Sequence, residues 1–489
     1  MRGMLSHGYD TFAPRPRRRR SAPPSARGRG RPDRPFPERC TGPGRVLSRA
    51  MSSDVRRGRK FTYEGVDVSP STGEITSRYS LDDRTFTEVV RLPTELDWTQ
   101  PAVAAAARIL FLLTGISYYK TAAPPVIDLG QTPVTADVLA FLREFYIEGL
   151  GEFSYVNGLP LDDLEIVGGR PDLVQPVAWG HAEERPLIPF GGGIDSVVVT
   201  ELTKQQHPDS ALFIAGRYDP IEATAAVTGL PIVRATRTLD PQVLRSRELG
   251  FLNGHVPVTG IISAIAVLAA VLDSRTAVIM SNEWSASSPT LEVDGRGINH
   301  QYSKSLAFED GFRRLLDGAL PGLRYFSALR PYSELWVAER FAALPEYHPV
   351  FRSCNRAFHV DPALRATGWC GECDKCAFID LILAPFMSAE QLRTVFGGRE
   401  PLDRPDLLPR FRGLLGDTAS TKPFECVGDV GECLVALDLA AARPDRAGNP
   451  VLAQLHAEHA GPTGPTEQYF AAMGEHFIEA PYAADDLLV

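Results

Sequence analysis

Asp195 and Ser196, directly after Gly191-Gly192-Gly193, are spaced to do chemistry on a phosphate. Leu187 and Ile188 lead into the glycines and a valine-rich run follows, so the pattern predicts a strand, a tight loop and a helix N-terminus. Glycines let backbone N–H groups approach phosphate oxygens, and the helix dipole favours the negative charge. Asp195 offers a hard oxygen ligand for Mg²⁺ between phosphates. A P-loop would need Lys-Ser/Thr after its last glycine, and no Gly-Lys-Ser/Thr occurs in the chain. A dinucleotide fingerprint would need a glycine where Ser196 stands. A ligand-free turn needs no Asp-Ser pair after three glycines.

Cys354, Cys370, Cys373 and Cys376 form the second constellation. Two overlapping C-x-x-C pairs and an upstream thiol can close a tetrahedral zinc site with no open position, which is a structural role. An iron–sulfur cluster or a redox pair uses similar spacings. His359 is a nearby spare ligand or an ordinary histidine.

The elements that must position these residues alternate. Ala211–Ala215, Ile232–Ala235 and Ala277–Met280 read as strands; Ala223–Thr228 and Ile261–Leu272 read as helices. This predicts an α/β fold, a doubly wound parallel sheet whose ligands sit outside the carboxyl ends of the strands. Asp219 and the pair Asn282-Glu283 fall at such ends, beside the glycine loop. Asp219 could hold a ribose or cap the helix after Pro220. Ahead of this unit, residues 60–90 predict a β-hairpin, followed by helices over Pro101–Thr114 and from a Thr135 cap to Gly149. The expected organisation is an Arg/Pro-rich disordered extension over 1–52, an N-terminal α+β substrate domain over 60–180, a nucleotide-binding domain with the cysteine site over 186–390, and a mainly helical C-terminal region over 391–489.

Composition sets the outer limits. The 489 residues are 44% hydrophobic and 23% charged, ordinary for a globular protein. Residues 1–50 hold 13 arginines against 3 acidic residues, a net +10, which leaves −19 for residues 51–489 of a chain at −9 overall. So acidic a body speaks against a nucleic-acid partner for the folded part. The longest apolar run, Ile261–Leu272, is too short to cross a membrane, and the basic N-terminus lacks the apolar run of a signal peptide. Seven cysteines do not make a disulfide scaffold. A cytoplasmic protein is expected.

Residues 191–196 resemble the Ser-Gly-Gly-x-Asp-Ser loop of the PP-loop ATP pyrophosphatases, which cleave ATP between its α and β phosphates. Gly191 replaces the first serine, removing one phosphate hydrogen bond of about 1 kcal/mol net. The run 253–272, the strand end MSNEWSASS and the cysteine cluster follow the order of the deazaguanine-forming members of that superfamily. TGISYYK (114–120), NEWSASSP (282–289), NHQYSK (299–304) and KPFECVG (422–428) resemble instead the MurL-type UDP-N-acetylmuramoyl-L-alanyl-L-glutamate epimerases, over roughly residues 60–480.

That resemblance implies an ATP- and Mg²⁺-dependent epimerase of peptidoglycan precursor synthesis, serving cell-wall biogenesis, cell shape and division. It would act on a nucleotide-linked muramyl dipeptide supplied by an L-Glu-adding ligase. Gly191, Gly192, Gly193 and Ser196 would hold pyrophosphate and Asp195 the magnesium, with Asp219, Asn282 and Glu283 completing the nucleotide site. His300, Tyr302 and Lys304 are candidates for proton transfer, Lys304 alternatively for binding phosphate or carboxylate. Cys426 and Cys433 are thiols of the kind that cofactor-independent racemases use on each face, or small buried hydrophobes. Tyr118, Tyr119 and Lys120 could contact substrate or end a helix. Other readings of the same loop are nitrile or amide formation, RNA thiolation, and ATP sensing without turnover.

Overall fold

A computed structural model describes residues 57–358, 365–417, 425, 427–459 and 465–482. The extension 1–52, His359 and Cys426 lie outside the described residues.

The chain opens with β1 (Lys60–Ser69), β2 (Glu74–Leu81) and β3 (Arg84–Arg91), an antiparallel meander rather than the expected single hairpin. The second turn has neither glycine nor proline to announce it. Asp82 takes the left-handed conformation (φ 52°), and its carboxylate accepts the Arg59 and Lys60 N–H groups. β4 (Val126–Asp128) and β5 (Glu165–Val167) add in parallel beyond β1. The helix Val103–Thr114 lies under this sheet, and Thr135 caps the helix Ala136–Gly149 as expected, accepting the Val138 N–H.

Next come β6 (Pro186–Pro189), β7 (Ala211–Ala215), β8 (Ile232–Thr238) and β9 (Ala277–Met280). A separate two-stranded ribbon pairs β10 (Leu291–Val293) with β11 (Arg296–Ile298). β12 (Arg324–Ser327), too short to stand out in the sequence, completes the parallel set. Helices Ile194–Gln206, Asp219–Thr228 and Val258–Leu272 alternate with these strands, the second starting four residues earlier than its apolar run predicts.

One ten-stranded sheet results, in the order β12-β9-β6-β7-β8-β3-β2-β1-β4-β5. The five strands β12 to β8 are parallel, and β3 joins β8 antiparallel, so the sheet runs unbroken from the N-terminal meander into the α/β unit. Alternation along β7 shows how both faces are covered. Ala211 and Phe213 enter one core with the helices Val103–Thr114 and Val258–Leu272. Leu212 and Ile214 enter the other, with Ile194–Gln206, Glu334–Ala342 and Asp374–Leu383. Helices dominate after residue 374.

Strand order reverses between β6 and β9: succession runs outward through β7 and β8 on one side and through β12 on the other. A crevice at the carboxyl ends of those two strands is where an open α/β sheet takes its ligand. Among the described residues, no helix is long and apolar enough to cross a membrane.

Candidate active site

The loop after β6 and the segment after β9 flank that reversal, so Gly191–Ser196 and Asn282-Glu283 share the crevice. Gly192 needs its missing side chain: its φ is +73°, and a Cβ would come within 3.2 Å of the Ile221 backbone. Gly193 is the N-cap of the helix Ile194–Gln206, leaving the first N–H groups facing the crevice. Ser196 is buried, its hydroxyl donating to the Gly193 carbonyl.

Asp195 carries the clearest sign of a ligand site. Its Oδ1 is enclosed and accepts no hydrogen bond. Burial and the Glu283 charge raise its pKa to about 6, against the pull of Lys375 and Lys304. Glu334, in the first turn of the helix Glu334–Ala342, is also buried with an unpartnered Oε2. Burial, Asp195 and Glu283 push it well above the usual carboxylate range. The unmet oxygens of Asp195 and Glu334 are open to a hard cation such as Mg²⁺, and Lys304 and Lys375 fit phosphate oxygens.

A buried frame fixes the two ends of this site. Arg330 donates to the Glu283 carbonyl (2.8 Å) and to the Lys304 carbonyl (2.5 Å), while Glu309 accepts from its Nε at 3.0 Å. Ser327, at the end of β12, bonds both the N–H (2.7 Å) and the carbonyl (2.6 Å) of Asn282.

The four cysteine sulfurs lie within 4.8 Å of one another. Cys376 Sγ is 3.6 Å from Cys370 Sγ and 3.4 Å from Cys373 Sγ. Four sulfurs at about 2.3 Å from a tetrahedral ion stand roughly 3.8 Å apart, so the cage fits one ion such as Zn²⁺ rather than a multi-iron cluster. Gly371, at φ +64°, makes the turn between two of the ligands. Cys373 then stands at the N-cap position of the helix that carries Lys375. Upstream, the Arg352 N–H reaches the Gly192 carbonyl (3.4 Å), and Ser353 Oγ would lie 2.8 Å from a Cβ on Gly193. The cysteine cage therefore braces the glycine loop from one side and delivers Lys375 from the other.

Other sequence candidates separate. Asp219 is exposed in the first turn of its helix and makes no capping bond, which removes the capping reading; Tyr218 occupies the N-cap position. Asp219 lines a cavity of about 490 Å³ with Tyr218, Arg352 and Arg365. Tyr302 is buried and points its hydroxyl at Glu144 (3.1 Å), and burial raises its pKa, so it is no base for the crevice. Tyr118 donates to Glu88 (2.9 Å) inside the core, Tyr119 is buried, and Lys120 pins Asn253 and Gly254 (2.8 Å each). These three build the scaffold. Cys433 is buried in the helix Val430–Ala441. His300 meets Glu152 and His255 in a cluster of its own, and the Lys304 charge reaches both His255 and Asp195.

Glu334, Lys375 and Arg330 escaped sequence reasoning. Lys375 sits inside the second C-x-x-C pair, where a cation between ligands was a readable signal. Glu334 and Arg330 come from segments with no local signature.

Comparison with known proteins places this architecture. Residues 52–328 match the family described as MurL N-terminal domain, and residues 350–469 match the MurL C-terminal domain. A protein of Salinispora tropica named UDP-N-acetyl-alpha-D-muramoyl-L-alanyl-L-glutamate epimerase is 40% identical over 455 residues, covering 88% of this chain and 96% of its own. Proteins of the same name from a Micromonospora species (38% identical, 88% and 98% covered) and from Xanthomonas oryzae pv. oryzae (39%, 70% and 76%) align as well. A crevice at the reversal of a doubly wound sheet, a cysteine cage behind it and matches across both parts of the chain lead to one assignment: the chain belongs to the MurL epimerase family.

Proposed function

We propose that this protein is an ATP- and Mg²⁺-dependent epimerase that converts the terminal L-Glu of UDP-MurNAc-L-Ala-L-Glu to D-Glu, releasing AMP and pyrophosphate, in peptidoglycan precursor synthesis. Relatives aligned over nearly their whole length carry the name of that epimerase. The observation that carries the ATP requirement is the unpartnered Asp195 oxygen at the mouth of a glycine loop, faced by Lys304 and Lys375.

The chemistry follows from the substrate. The α-proton of a glutamyl residue is hard to remove because the neighbouring carboxylate is already negative, and each pKa unit of difficulty costs about 1.4 kcal/mol. Joining that carboxylate to the α-phosphate as an acyl-adenylate, with pyrophosphate leaving, removes the charge and lets the carbonyl accept electrons; after inversion, water attacks the acyl carbon and frees AMP and the D-glutamyl carboxylate. The loop N–H groups of Gly192, Gly193 and Ile194 hold the leaving pyrophosphate, and Lys304 and Lys375 balance its charge. Asp195, with Glu283 and Glu334, would hold magnesium, which supplies charge neutralisation between the phosphates. The cysteine cage, read as a structural zinc site, keeps the loop in place.

Incubating the pure protein with UDP-MurNAc-L-Ala-L-Glu, ATP and Mg²⁺ should give D-Glu on acid hydrolysis and AMP in equal amounts. D-Glu without nucleotide turnover would refute the ATP requirement, and neither product from folded protein would refute the whole assignment.

A further inference from the structure

Beyond the phosphate loop, three groups that could move protons converge from separate parts of the chain. Glu152 comes from the helix Gly151–Asn157, His255 from the segment before the helix Val258–Leu272, and His300 from the turn after β11. Their ligand atoms lie within 4.8 Å of one another. His300 Nδ1 is hydrogen-bonded to Glu152 Oε2, and the His255 and His300 ring centroids are 4.1 Å apart, tilted by 40°.

We propose that Glu152, His300 and His255 form a proton-transfer centre in which His300 takes the α-proton of the L-glutamyl residue, Glu152 fixes its tautomer and His255 positions its ring. This rests on the epimerase reading above and assigns the base that reading leaves open.

An ionised carboxylate only accepts hydrogen bonds, so Glu152 places the His300 proton on Nδ1 and leaves the lone pair on Nε2. In the step, the Cα–H bond breaks, an N–H bond forms at Nε2, and the electron pair moves into the activated carbonyl as an enolate. The new imidazolium is held by Glu152. Delivery to the opposite face falls to a donor outside this centre.

Two imidazoles and a carboxylate are also a donor set for a divalent cation. The surroundings oppose that use. Burial, then His300, and then Lys120 and Lys304 together hold the His255 pKa down to about 4, against the pull of Glu152. A positive field of that kind repels a metal ion and suits a substrate carboxylate. Lys120 is itself lowered to about 8, chiefly by burial, while its Nζ is bonded to the very segment that carries His255. Glu425 also faces His300, and its carboxyl is raised by burial. Lys304, whose charge reaches both Asp195 and His255, links this centre to the phosphate loop.

The test is α-proton exchange in D₂O, run with each epimer of the substrate, with pyrophosphate release followed in the same samples. His300→Asn should lower deuterium entry into the L-epimer by about 10²-fold or more, while exchange of the D-epimer and pyrophosphate release stay within about fivefold. Equal loss for both epimers, or no loss for either, would overturn the proposal. Glu152→Gln should move the acid limb of kcat/KM to lower pH, because the imidazolium loses its anion; an unmoved limb counts against the assignment. One equivalent of Zn²⁺ or Mn²⁺ bound by the wild type and lost in His255→Asn would overturn it in favour of a metal site. Wild-type exchange without ATP would sink the adenylate reading and leave this centre standing.

Discussion

Asp195, just after β6, and Glu309, packed against the end of β12, are both carboxylates enclosed at the carboxyl-end rim of the parallel strands, and the protein treats them in opposite ways. Glu309 has the Ser327 N–H on one oxygen and Arg330 on the other. The pair is 2% exposed on each side, and Arg330 spends its remaining donors on the Glu283 and Lys304 carbonyls and the Ser287 hydroxyl. Asp195 has an enclosed oxygen with no donor and a second carboxylate, Glu283, pressing on it. A buried charge with every lone pair met is framework. A buried charge with an unmet lone pair costs stability, and at the mouth of the glycine loop it stands open to a ligand. The contrast separates the groups that hold the crevice from the groups that await something in it.

Substitution at each carboxylate should break that contrast in opposite directions. Asp195→Asn should lower turnover by about 10³-fold or more, equivalent to roughly 4 kcal/mol of barrier, with a melting temperature equal to or above that of the wild type. Steady-state AMP release and thermal melting read both quantities, and a large drop in melting would erase the distinction. Glu309→Gln should instead cost about 3–5 kcal/mol of stability, because Arg330 is left buried without its charge partner; urea unfolding measures it.

Smaller effects sharpen the picture. Cys373→Ser should lose one bound zinc per chain by elemental analysis and weaken ATP binding about tenfold, roughly 1.4 kcal/mol, because Lys375 and the braced loop both depend on the cage. Zinc retained in full by the variant would detach the cage from the metal.

Magnesium binding should depend on pH with a definite sign. The folded pKa of Asp195 is raised to about 6, so a proton competes with the cation below that value. Apparent Mg²⁺ affinity, by calorimetry, should fall by about tenfold for each pH unit below 6 and level off above 7. The same sign makes the Asp195 contribution to the metal-free fold most favourable at acid pH and lost as pH rises through 6. Magnesium should restore it.

Gly191→Ser should have the smallest effect. A Cβ there meets nothing within 4 Å, so the hydroxyl usual in PP-loop enzymes fits without strain. ATP affinity should change by no more than about 1 kcal/mol, and a larger loss would mean that the open space is filled by substrate.

The comparison also explains what the sequence could disclose. The glycine loop, the four cysteines and most of the parallel strands were legible because their signals are local: fixed spacing, short apolar runs, and a cap such as Thr135. The second turn of the meander was hidden because Asp82 makes it by bonding backbone twenty-two residues away. Glu334, Arg330, His255 and Glu152 were hidden for a stronger reason. Each acquires its role only when segments from distant parts of the chain close around it, and no single window of sequence contains both partners. His300 was legible as a polar residue near the site, but its partner Glu152 lies on a helix 148 positions earlier.

Activation in the crevice would leave an oxygen of the glutamyl carboxylate on AMP. Substrate carrying ¹⁸O in the glutamyl α-carboxylate tests it most directly. An acyl-adenylate route predicts AMP bearing one ¹⁸O for each D-glutamyl product formed. Label found in inorganic phosphate, or D-Glu formed with none of the label in AMP, would contradict it.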